Sequence, residues 1–274
     1  MALVNMRDLL RKAEAGGWAV GSFSVANLEC VEGVLQAAEA CRSPVILQIA
    51  EIRLPYSPLY LMAPLMRAAA EHASVPVAVH LDHGKTLGCI REALDLGFTS
   101  VMCDGSDLPL ADNLRLTEEV VRLAAPYGAA VEGEVGRVGR NEDGSAAAEE
   151  IATPSDCLAM DGTGIDALAV GIGNAHGLYT AVPHLHYDVV EQAHGSIHAA
   201  LVLHGGSGLT DAQFRRLVEL GIRKINIATD IFRAAAGACD GPDIFRNMLA
   251  GREAVSQVVT RYIELFGSNG KADA

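Results

Sequence analysis

Val79-His80-Leu81-Asp82-His83-Gly84-Lys85 is a cluster of ionisable side chains at the end of an apolar segment. The residues that lead into it, Pro76-Val77-Ala78-Val79, have the proline start and the β-branched content of a buried strand. Side chains alternate along a strand, so Asp82 and His83 can face one site only where the strand is ending. The pattern therefore predicts a strand that brings reactive groups to its carboxyl end.

The composition is that of a globular domain. The 274 residues are 50% apolar with no break in composition, which favours a single domain over 1–274. A formal net charge of -13 argues against nucleic acid as a partner, because phosphate backbones bind basic surfaces. No apolar run approaches the roughly 20 residues that span a bilayer, and residues 1–11 lack the apolar core of a signal peptide. We therefore expect a cytoplasmic protein without a membrane partner, and the scattered cysteines favour free thiols over disulfides.

Apolar strands alternate with segments of helical periodicity along the chain. We predict eight strands, at 18–23, 44–50, 76–79 with its polar extension, 100–103, 129–135, 167–172, 200–204 and 224–227. This alternation is typical of a closed (β/α)8 TIM barrel, an α/β fold, rather than of an open doubly wound sheet. Helices over 240–266 and a tail over 267–274 would follow the barrel. Because TIM-barrel enzymes work at the carboxyl ends of their strands, we expect the site there.

Three histidines follow strands that the barrel would bring to one rim. His83, His176 and His204 come after the third, sixth and seventh strands, and each precedes a glycine, whose bare backbone another group can approach closely. Three neutral imidazoles with an open fourth position are a known catalytic zinc arrangement, which polarises a carbonyl. Any one of them alone would more often be a structural histidine, but their convergence favours a Zn2+ site. His80 faces the barrel interior, where a role behind the ligands and a core role fit equally well.

Two segments near the end of the chain are candidates for binding a phosphate. Leu203-His204-Gly205-Gly206-Ser207-Gly208 follows the seventh strand, and Asn226-Ile227-Ala228-Thr229 lies on and after the eighth. TIM barrels commonly hold a phosphate at these two loops through backbone N–H groups and a helix start. A glycine run alone is more often a tight turn. Its position beside a candidate metal ligand is what favours the phosphate site.

Acidic residues on the fifth strand form a second group of candidates. Glu132 and Glu134 are two residues apart and share the interior face of that strand. Asp104, on the neighbouring strand, could add an oxygen ligand for a displaced, second metal position. For Glu132, an ion network with Lys85 or Arg137 is an equally good interpretation.

The segment 136–154 is a long loop rich in glycine, alanine and acidic residues. Loops of this length in compact domains are usually mobile lids or disordered segments. A glutamate on a lid could act as a base once closure excludes water. A solvated acidic loop would have no such role.

Six short motifs at predicted strand ends carry a resemblance to a known family: His80-Leu81-Asp82-His83-Gly84, Asp104-Gly105-Ser106, Glu132-Gly133-Glu134-Val135-Gly136, Gly173-Asn174-Ala175-His176-Gly177, Leu203-His204-Gly205-Gly206-Ser207-Gly208 and Lys224-Ile225-Asn226-Ile227-Ala228-Thr229. Through them the sequence resembles the class II aldolases, the zinc-dependent group that contains fructose- and tagatose-bisphosphate aldolases, over nearly its full length.

The resemblance implies a set of roles for these residues. His83, His176 and His204 would bind one Zn2+ per subunit. Asp82 would shuttle the proton at the aldehyde or new hydroxyl oxygen, and Glu142 in the mobile loop would remove or return the proton at the donor carbon. The residues implied to hold the phosphate of dihydroxyacetone phosphate, with Na+ or K+ nearby, are Gly177, Gly205, Ser207, Asn226 and Thr229. Family members are usually dimers or tetramers, which implies a homodimer or a homotetramer.

Departures from the family pattern bear on the substrate. Many members have asparagine where this chain has Ser24 and serine where it has Ala50, both near the expected substrate position. Bisphosphate enzymes commonly carry an arginine in a Met-Arg-x-Gly segment that binds the distal phosphate. Here the segment is Met248-Leu249-Ala250-Gly251, and leucine cannot pair with phosphate. The end of the chain, Phe266-Gly267-Ser268-Asn269-Gly270-Lys271-Ala272, also looks like that of branches acting on ketose 1-phosphates.

We therefore expect cleavage of a ketose 1-phosphate to dihydroxyacetone phosphate and an unphosphorylated aldehyde, with Ser24, Glu51 and Arg53 as acceptor contacts. Arg246 or Arg252 could replace the missing arginine, which keeps a fructose- or tagatose-bisphosphate aldolase as the alternative. A noncatalytic barrel subunit that binds metal and phosphate is a more remote one.

Overall fold

A closed barrel of eight parallel strands forms the centre of the protein, in a computed structural model that describes residues 2–140, 150–177, 179 and 182–273. The described residues form ten strands: β1 (Val20–Ser24), β2 (Val45–Ala50), β3 (Val77–Gly84), β4 (Ser100–Cys103), β5 (Ala130–Val135), β6 (Gly139–Arg140), β7 (Ala167–Val170), β8 (Ala175–His176), β9 (Ala200–Leu203) and β10 (Ile222–Ile227). Eight close the barrel in the order β1-β2-β3-β4-β5-β7-β9-β10, with β10 beside β1, while β6 and β8 pair with each other. The predicted TIM barrel is confirmed.

Helices connect the strands and pack around the barrel. They are α1 (Met6–Gly16), α2 (Leu28–Ala40), α3 (Leu59–His72), α4 (Leu87–Asp95), α5 (Leu110–Ala124), α6 (Pro154–Asp161), α7 (Tyr187–His194), α8 (Asp211–Glu219), α9 (Thr229–Gly237) and α10 (Ile244–Phe266). Two short 3-10 turns cover Glu51–Arg53 and Ala125–Tyr127. In the part of the chain that the structure describes, no helix is both long and apolar enough to cross a membrane.

Local sequence explains where these helices begin and end. The side chain of Asn27 accepts a hydrogen bond from the N–H of Cys30, so it caps α2. Two glycines in the left-handed region, Gly97 (φ +82°) and Gly221 (φ +116°), follow α4 and α8, as is common where a helix ends. Each short joint returns the chain directly to the next strand.

Helix α1, which the sequence analysis did not predict, closes the amino-terminal end of the barrel. Its apolar face, with Leu9 and Leu10 fully buried, packs against interior side chains such as Ile46 and Ala78. Each leucine buried in this way contributes roughly 1.5–3 kcal/mol to folding. The apolar closure leaves the opposite end of the barrel as the place for polar groups.

The barrel interior changes from apolar to polar along several strands. On β3, Ala78 belongs to the apolar end, His80 lies in the middle and Asp82 at the carboxyl end, all buried. The buried polar side chains that fill the middle of the barrel are Ser22, Gln48, His80, Ser100, Glu132 and Lys224. This polar layer lies directly beneath the predicted site.

The carboxyl-terminal part of the chain connects the first and the last strand–helix units of the barrel. Helix α10 packs against α2 and α9, and the carbonyl oxygen of Phe266 accepts a hydrogen bond from Ala19, just before β1. Within the predicted tail, the N–H groups of Gly270 and Ala272 donate to the carbonyls of Cys41 and Arg42. The predicted 240–266 helical region is one helix that begins at 244.

Candidate functional site

The carboxyl end of β3 presents both Asp82 and His83 to one cavity. The strand does not end before His83, but its pairing with β4 shifts between Leu81 and Gly84. His83 itself has φ +45°, a left-handed conformation that costs a non-glycine residue of order 1–3 kcal/mol. This irregularity brings two consecutive side chains to the same side, which regular alternation forbids.

The three predicted histidines converge. The ring centroid of His83 lies 4.8 Å from that of His176 and 4.7 Å from that of His204, and the other two centroids are 5.8 Å apart. One ring nitrogen of each residue can be chosen so that all three lie within 4.8 Å of one another. His204 Nδ1 and His83 Nε2 are 2.9 Å apart.

These three imidazoles fit a divalent metal ion. A tetrahedral Zn2+ with bonds of about 2.0–2.1 Å separates its nitrogen ligands by roughly 3.3 Å, and the 2.9 Å between His204 Nδ1 and His83 Nε2 is within a few tenths of that value. Imidazole nitrogens are ligands that zinc prefers. His176 comes from β8, which pairs with β6 at the base of the predicted lid.

A second group of possible metal ligands adjoins the first through His83, with Asp104 and Glu134. His83 Nδ1 is 2.7 Å from Asp104 Oδ2 and 3.9 Å from Glu134 Oε2. Glu134 Oε2 is buried with no hydrogen-bond partner among the described residues, and burial together with the charge of Asp104 raises the pKa of Glu134 to about 8. A buried, unsatisfied carboxylate oxygen fits the predicted second metal position.

The carboxylates around His83 also control its charge. Burial lowers the pKa of His83, but Asp82, Asp104 and Glu134 outweigh burial and raise that pKa to about 10. Burial likewise raises the pKa of Asp104, yet the hydrogen bond from His83 and the ammonium of Lys85 hold it well below its usual range. Without a metal, both nitrogens of the His83 ring therefore carry a proton near neutral pH, and the ring is positively charged.

Glu132 has different partners from those weighed in the sequence analysis. Its Oε2 lies 2.9 Å from Lys224 Nζ, and its Oε1 lies 2.7 Å from His204 Nε2. Lys85 instead pairs with Asp104 and Asp107. The network interpretation of Glu132 was correct, but the named lysine and arginine were wrong because strand β10 supplies the cation.

His80 stays behind the candidate ligands. Its Nδ1 is 2.9 Å from Ser100 Oγ, and its Nε2 is 3.6 Å from Glu132 Oε2. Burial and the nearby ammonium of Lys224 lower the pKa of His80 to about 3, so the ring is neutral. It contacts the network but not the cavity.

Asp82 combines an anchored carboxylate with access to the cavity. Oδ1 accepts a hydrogen bond from Asn226 Nδ2 at 3.1 Å, and Oδ2 accepts one from Gln48 Nε2 at 3.3 Å. Gln48 in turn donates to Ser24 Oγ at 3.0 Å. The side chain is therefore fixed in position at the cavity wall, where a group that transfers a proton to a substrate has to lie.

The cavity has a volume of about 350 Å³ and extends from the histidines towards the loop after β2. All three predicted acceptor contacts, Ser24, Glu51 and Arg53, line it. Both carboxylate oxygens of Glu51 already accept hydrogen bonds from Lys85 and Thr86 at the start of α4. Glu51 is therefore already engaged within the protein.

Phe232 of α9 completes this end of the cavity. The guanidinium carbon of Arg53 lies 5.7 Å from the centroid of the Phe232 ring, a cation–π contact that orients the arginine. The remaining candidates for a distal phosphate lie elsewhere. Arg246 is exposed and pairs with Asp243 at 3.7 Å, and Arg252 pairs with Glu32 at 3.6 Å.

Four of the five predicted phosphate-binding residues, Gly177, Gly205, Ser207 and Thr229, follow the last strands of the chain, β8, β9 and β10. Thr229 begins α9, and Ser207 Oγ accepts a hydrogen bond from the N–H of Asp230 at 3.3 Å. Gly177 and Gly205 follow two of the histidines. A Cβ on Gly205 would lie 2.3 Å from the carbonyl oxygen of Ala175, so the bare backbone there admits β8.

Two predicted residues have a different position from the others. Asn226 lies in the buried network, where it contacts Asp82 and His204 rather than open space. Glu142 lies outside the described residues. The described base of its loop is anchored by a two-way backbone hydrogen bond between Arg137 and Glu150.

Known proteins that are similar in sequence to this chain are aldolases. A family model described as fructose-bisphosphate aldolase class-II matches residues 4–271. The chain is 38% identical over 284 residues to the 6-phospho-5-dehydro-2-deoxy-D-gluconate aldolase of Halalkalibacterium halodurans, with 99% of each chain covered. It is 37% identical to the sulfofructosephosphate aldolase of Alkalicoccus urumqiensis, again with 99% of each covered. It is also 38% identical to a fructose-bisphosphate aldolase of Streptococcus pyogenes, with 99% of this chain and 100% of that one covered.

A solved structure similar to this chain is also that of an aldolase. The YdjI aldolase of Escherichia coli K12 matches with a TM-score of 0.91 at 34% sequence identity, covering 99% of this chain and 100% of that one.

Proposed function

Because the chain belongs to the class II fructose-bisphosphate aldolase family and is therefore an aldehyde-lyase, we propose that it cleaves a ketose 1-phosphate reversibly, with zinc, to dihydroxyacetone phosphate and an unphosphorylated aldehyde. The observation that carries this proposal is the convergence of His83, His176 and His204 beside a cavity that His83, His176 and Asp82 line. A set of three imidazoles suits catalytic zinc, and a carboxylate beside it suits proton transfer.

The proposed division of labour follows the site. When bound by the three histidines, zinc supplies a Lewis acid that polarises the substrate carbonyl. Asp82, held by Asn226 and Gln48, moves the proton at the aldehyde oxygen. Glu142 is proposed to move the proton at the donor carbon.

The phosphate of the donor is proposed to bind where α9 begins. Thr229 and Ser207 carry hydroxyl groups there, and the N–H groups at the start of a helix attract anions. Gly177 and Gly205 leave the backbone accessible beside them. This arrangement can bind a phosphate on a protein whose net charge is -13, because the donors are local.

The acceptor end of the cavity supports an unphosphorylated aldehyde. Leu249 stands where bisphosphate enzymes commonly have arginine, and the cations of the cavity wall are Arg53 and Lys85, the latter engaged by two aspartates. Two of the relatives are named for substrates with a phosphate and a second, different acidic group, a gluconate carboxylate or a sulfonate. Arg53 suits an aldehyde that carries a carboxylate.

The bisphosphate alternative rests on the Streptococcus pyogenes relative. Steady-state rates of the zinc-loaded enzyme with fructose 1,6-bisphosphate, fructose 1-phosphate and longer ketose 1-phosphates, including ones ending in a carboxylate, separate the two proposals. We expect the highest kcat/KM for a ketose 1-phosphate that lacks a distal phosphate. A strong preference for the bisphosphate would reject this choice of substrate.

Metal dependence is tested separately. Chelation should abolish cleavage, and Zn2+ should restore it. Unimpaired turnover by metal-free protein would contradict the role given to the histidines. A noncatalytic barrel would gain support if zinc-loaded protein gave no proton exchange at the donor carbon of dihydroxyacetone phosphate. We further propose a homodimer or a homotetramer, to be checked by sedimentation.

A further inference from the structure

Lys224 is a fully buried cation beneath the proposed metal site. Its Nζ lies 2.9 Å from Glu132 Oε2 and donates a hydrogen bond to Asn226 Oδ1 at 2.7 Å. A buried ammonium is costly unless it is paired and hydrogen-bonded. Both conditions are met, so the two partners of Lys224 are held in defined orientations.

Glu132, the first partner of Lys224, fixes the orientation of the His204 ring. Glu132 Oε1 lies 2.7 Å from His204 Nε2. A carboxylate accepts hydrogen bonds, so Nε2 donates and carries the ring proton. That leaves the lone pair on Nδ1, the nitrogen that lies 2.9 Å from His83 Nε2 within the triad.

Asn226, the second partner of Lys224, fixes the carboxylate of Asp82. With Oδ1 of Asn226 accepting from Lys224, the amide must point Nδ2 the other way, and Nδ2 donates to Asp82 Oδ1 at 3.1 Å. If the ammonium were absent, the amide could rotate and bring its oxygen against the carboxylate of Asp82. One cation thereby orients two elements of the site.

We propose that Lys224 is a positioning residue that sets the ring proton of His204 through Glu132 and the orientation of Asp82 through Asn226. This inference rests on the proposed function in taking His204 as a metal ligand. Lys224 reaches neither the cavity nor the three ligand nitrogens, and it takes no part in forming a Schiff base.

The test compares Lys224→Met with a matched control, Arg223→Met, in the full chain. Arg223 is the adjacent residue, is also buried, and pairs with Glu14 of α1 at 3.0 Å, away from the cavity. Zn2+ affinity is measured by competition with a chelating dye, and the visible absorption of the Co2+-loaded protein reports the ligand geometry without turnover.

For Lys224→Met we expect zinc to bind about 10- to 100-fold more weakly, the range found when groups behind metal ligands are changed. The Co2+ spectrum should change, and kcat should fall more than KM rises. Arg223→Met should keep the Co2+ spectrum and the zinc affinity of the wild type.

Since Lys224→Met leaves Glu132 without its cation, the variant can fail to fold. The double variant Lys224→Met with Glu132→Gln removes both charges, and we expect it to fold and to show the same weakened zinc affinity. Wild-type zinc affinity and an unchanged Co2+ spectrum in either folded variant would overturn the inference. If zinc-loaded wild type failed to cleave any ketose phosphate, the proposed function would fall, while the metal affinities would still decide the role of Lys224.

Discussion

Replacing Asp82 by asparagine should separate the two proton transfers of the proposed reaction. The carboxylate accepts two hydrogen bonds, from Asn226 at 3.1 Å and from Gln48 at 3.3 Å. Asparagine keeps the size of the side chain but cannot exchange a proton near neutral pH. General acid–base catalysis contributes about 10²–10⁴-fold, so the cleavage rate should fall by that factor.

The same substitution has a calculable effect on stability. Asparagine offers one acceptor oxygen where aspartate offers two, so the amide of Asn226 or of Gln48 loses its partner. A buried polar group left unsatisfied costs about 1–3 kcal/mol. For a chain of this size, each kcal/mol lowers Tm by roughly 2–4 °C, so a measurable but not disruptive fall is expected.

The assay measures two rates on one preparation. Cleavage of a ketose 1-phosphate is followed by the release of dihydroxyacetone phosphate, and proton exchange at the donor carbon is followed by deuterium incorporation from solvent. Exchange should stay within about tenfold of the wild type, because Glu142 and not Asp82 is proposed to act there. Zinc should remain bound.

Asp166→Asn is the matched control. Asp166 also accepts hydrogen bonds on both carboxylate oxygens, two from the guanidinium of Arg7 and one from the N–H of Val131 at 3.0 Å, but outside the cavity. It should lose stability and keep both rates. If Asp82→Asn lowered cleavage and exchange equally, or lost the metal, the assigned role of Asp82 would be refuted.

Three further predictions concern the metal, the acceptor and the backbone. The pKa of His83 is raised to about 10, so below that pH zinc must displace a proton from the ring. Zinc affinity should therefore rise by about tenfold per pH unit between pH 7 and 9. A flat pH profile in dye competition would contradict this. Arg53→Met should lower kcat/KM for a carboxylate-bearing ketose 1-phosphate by about 10- to 100-fold and leave fructose 1-phosphate nearly unaffected, whereas Arg246→Met, an exposed control, should change neither. Gly205→Ala should weaken zinc binding and lower Tm, because its Cβ would meet the carbonyl oxygen of Ala175 at 2.3 Å. The control Gly88→Ala, whose Cβ would have nothing within 4 Å, should have a neutral or stabilising effect. Equal Tm values for the two variants would show that the loop around Gly205 adapts.

Much of the fold could be predicted because each barrel strand carries a local signal. The end of β3 shows this, since an apolar run followed by ionisable groups describes a strand that leaves the core at a site. Helix α1 was missed although its signal is present. Buried Met6, Leu9, Leu10 and Ala13 have helical spacing between the cap residue Asn5 and Gly17. Strands β6 and β8 have two residues each and are too short to show a period.

The contacts within the site were less predictable. From the sequence, Lys85 or Arg137 was expected to supply the cation for Glu132, whereas the cation comes from Lys224 on β10. Alternation tells which side chains point inward but not which of them meet, because barrel stagger sets the height of each strand relative to the others. The left-handed backbone of His83 was likewise hidden, because it depends on the shifted pairing with β4.

The polar layer in the middle of the barrel has a consequence for redesign of the enzyme. Lys224, Glu132 and Gln48 each touch several other buried groups, so a library of single exchanges at these positions should yield mostly inactive proteins. Arg53 and Phe232 line the outer cavity and meet each other, so they can be varied together with few side effects. Variants that accept new aldehydes should therefore be sought at that pair, with the interior left intact.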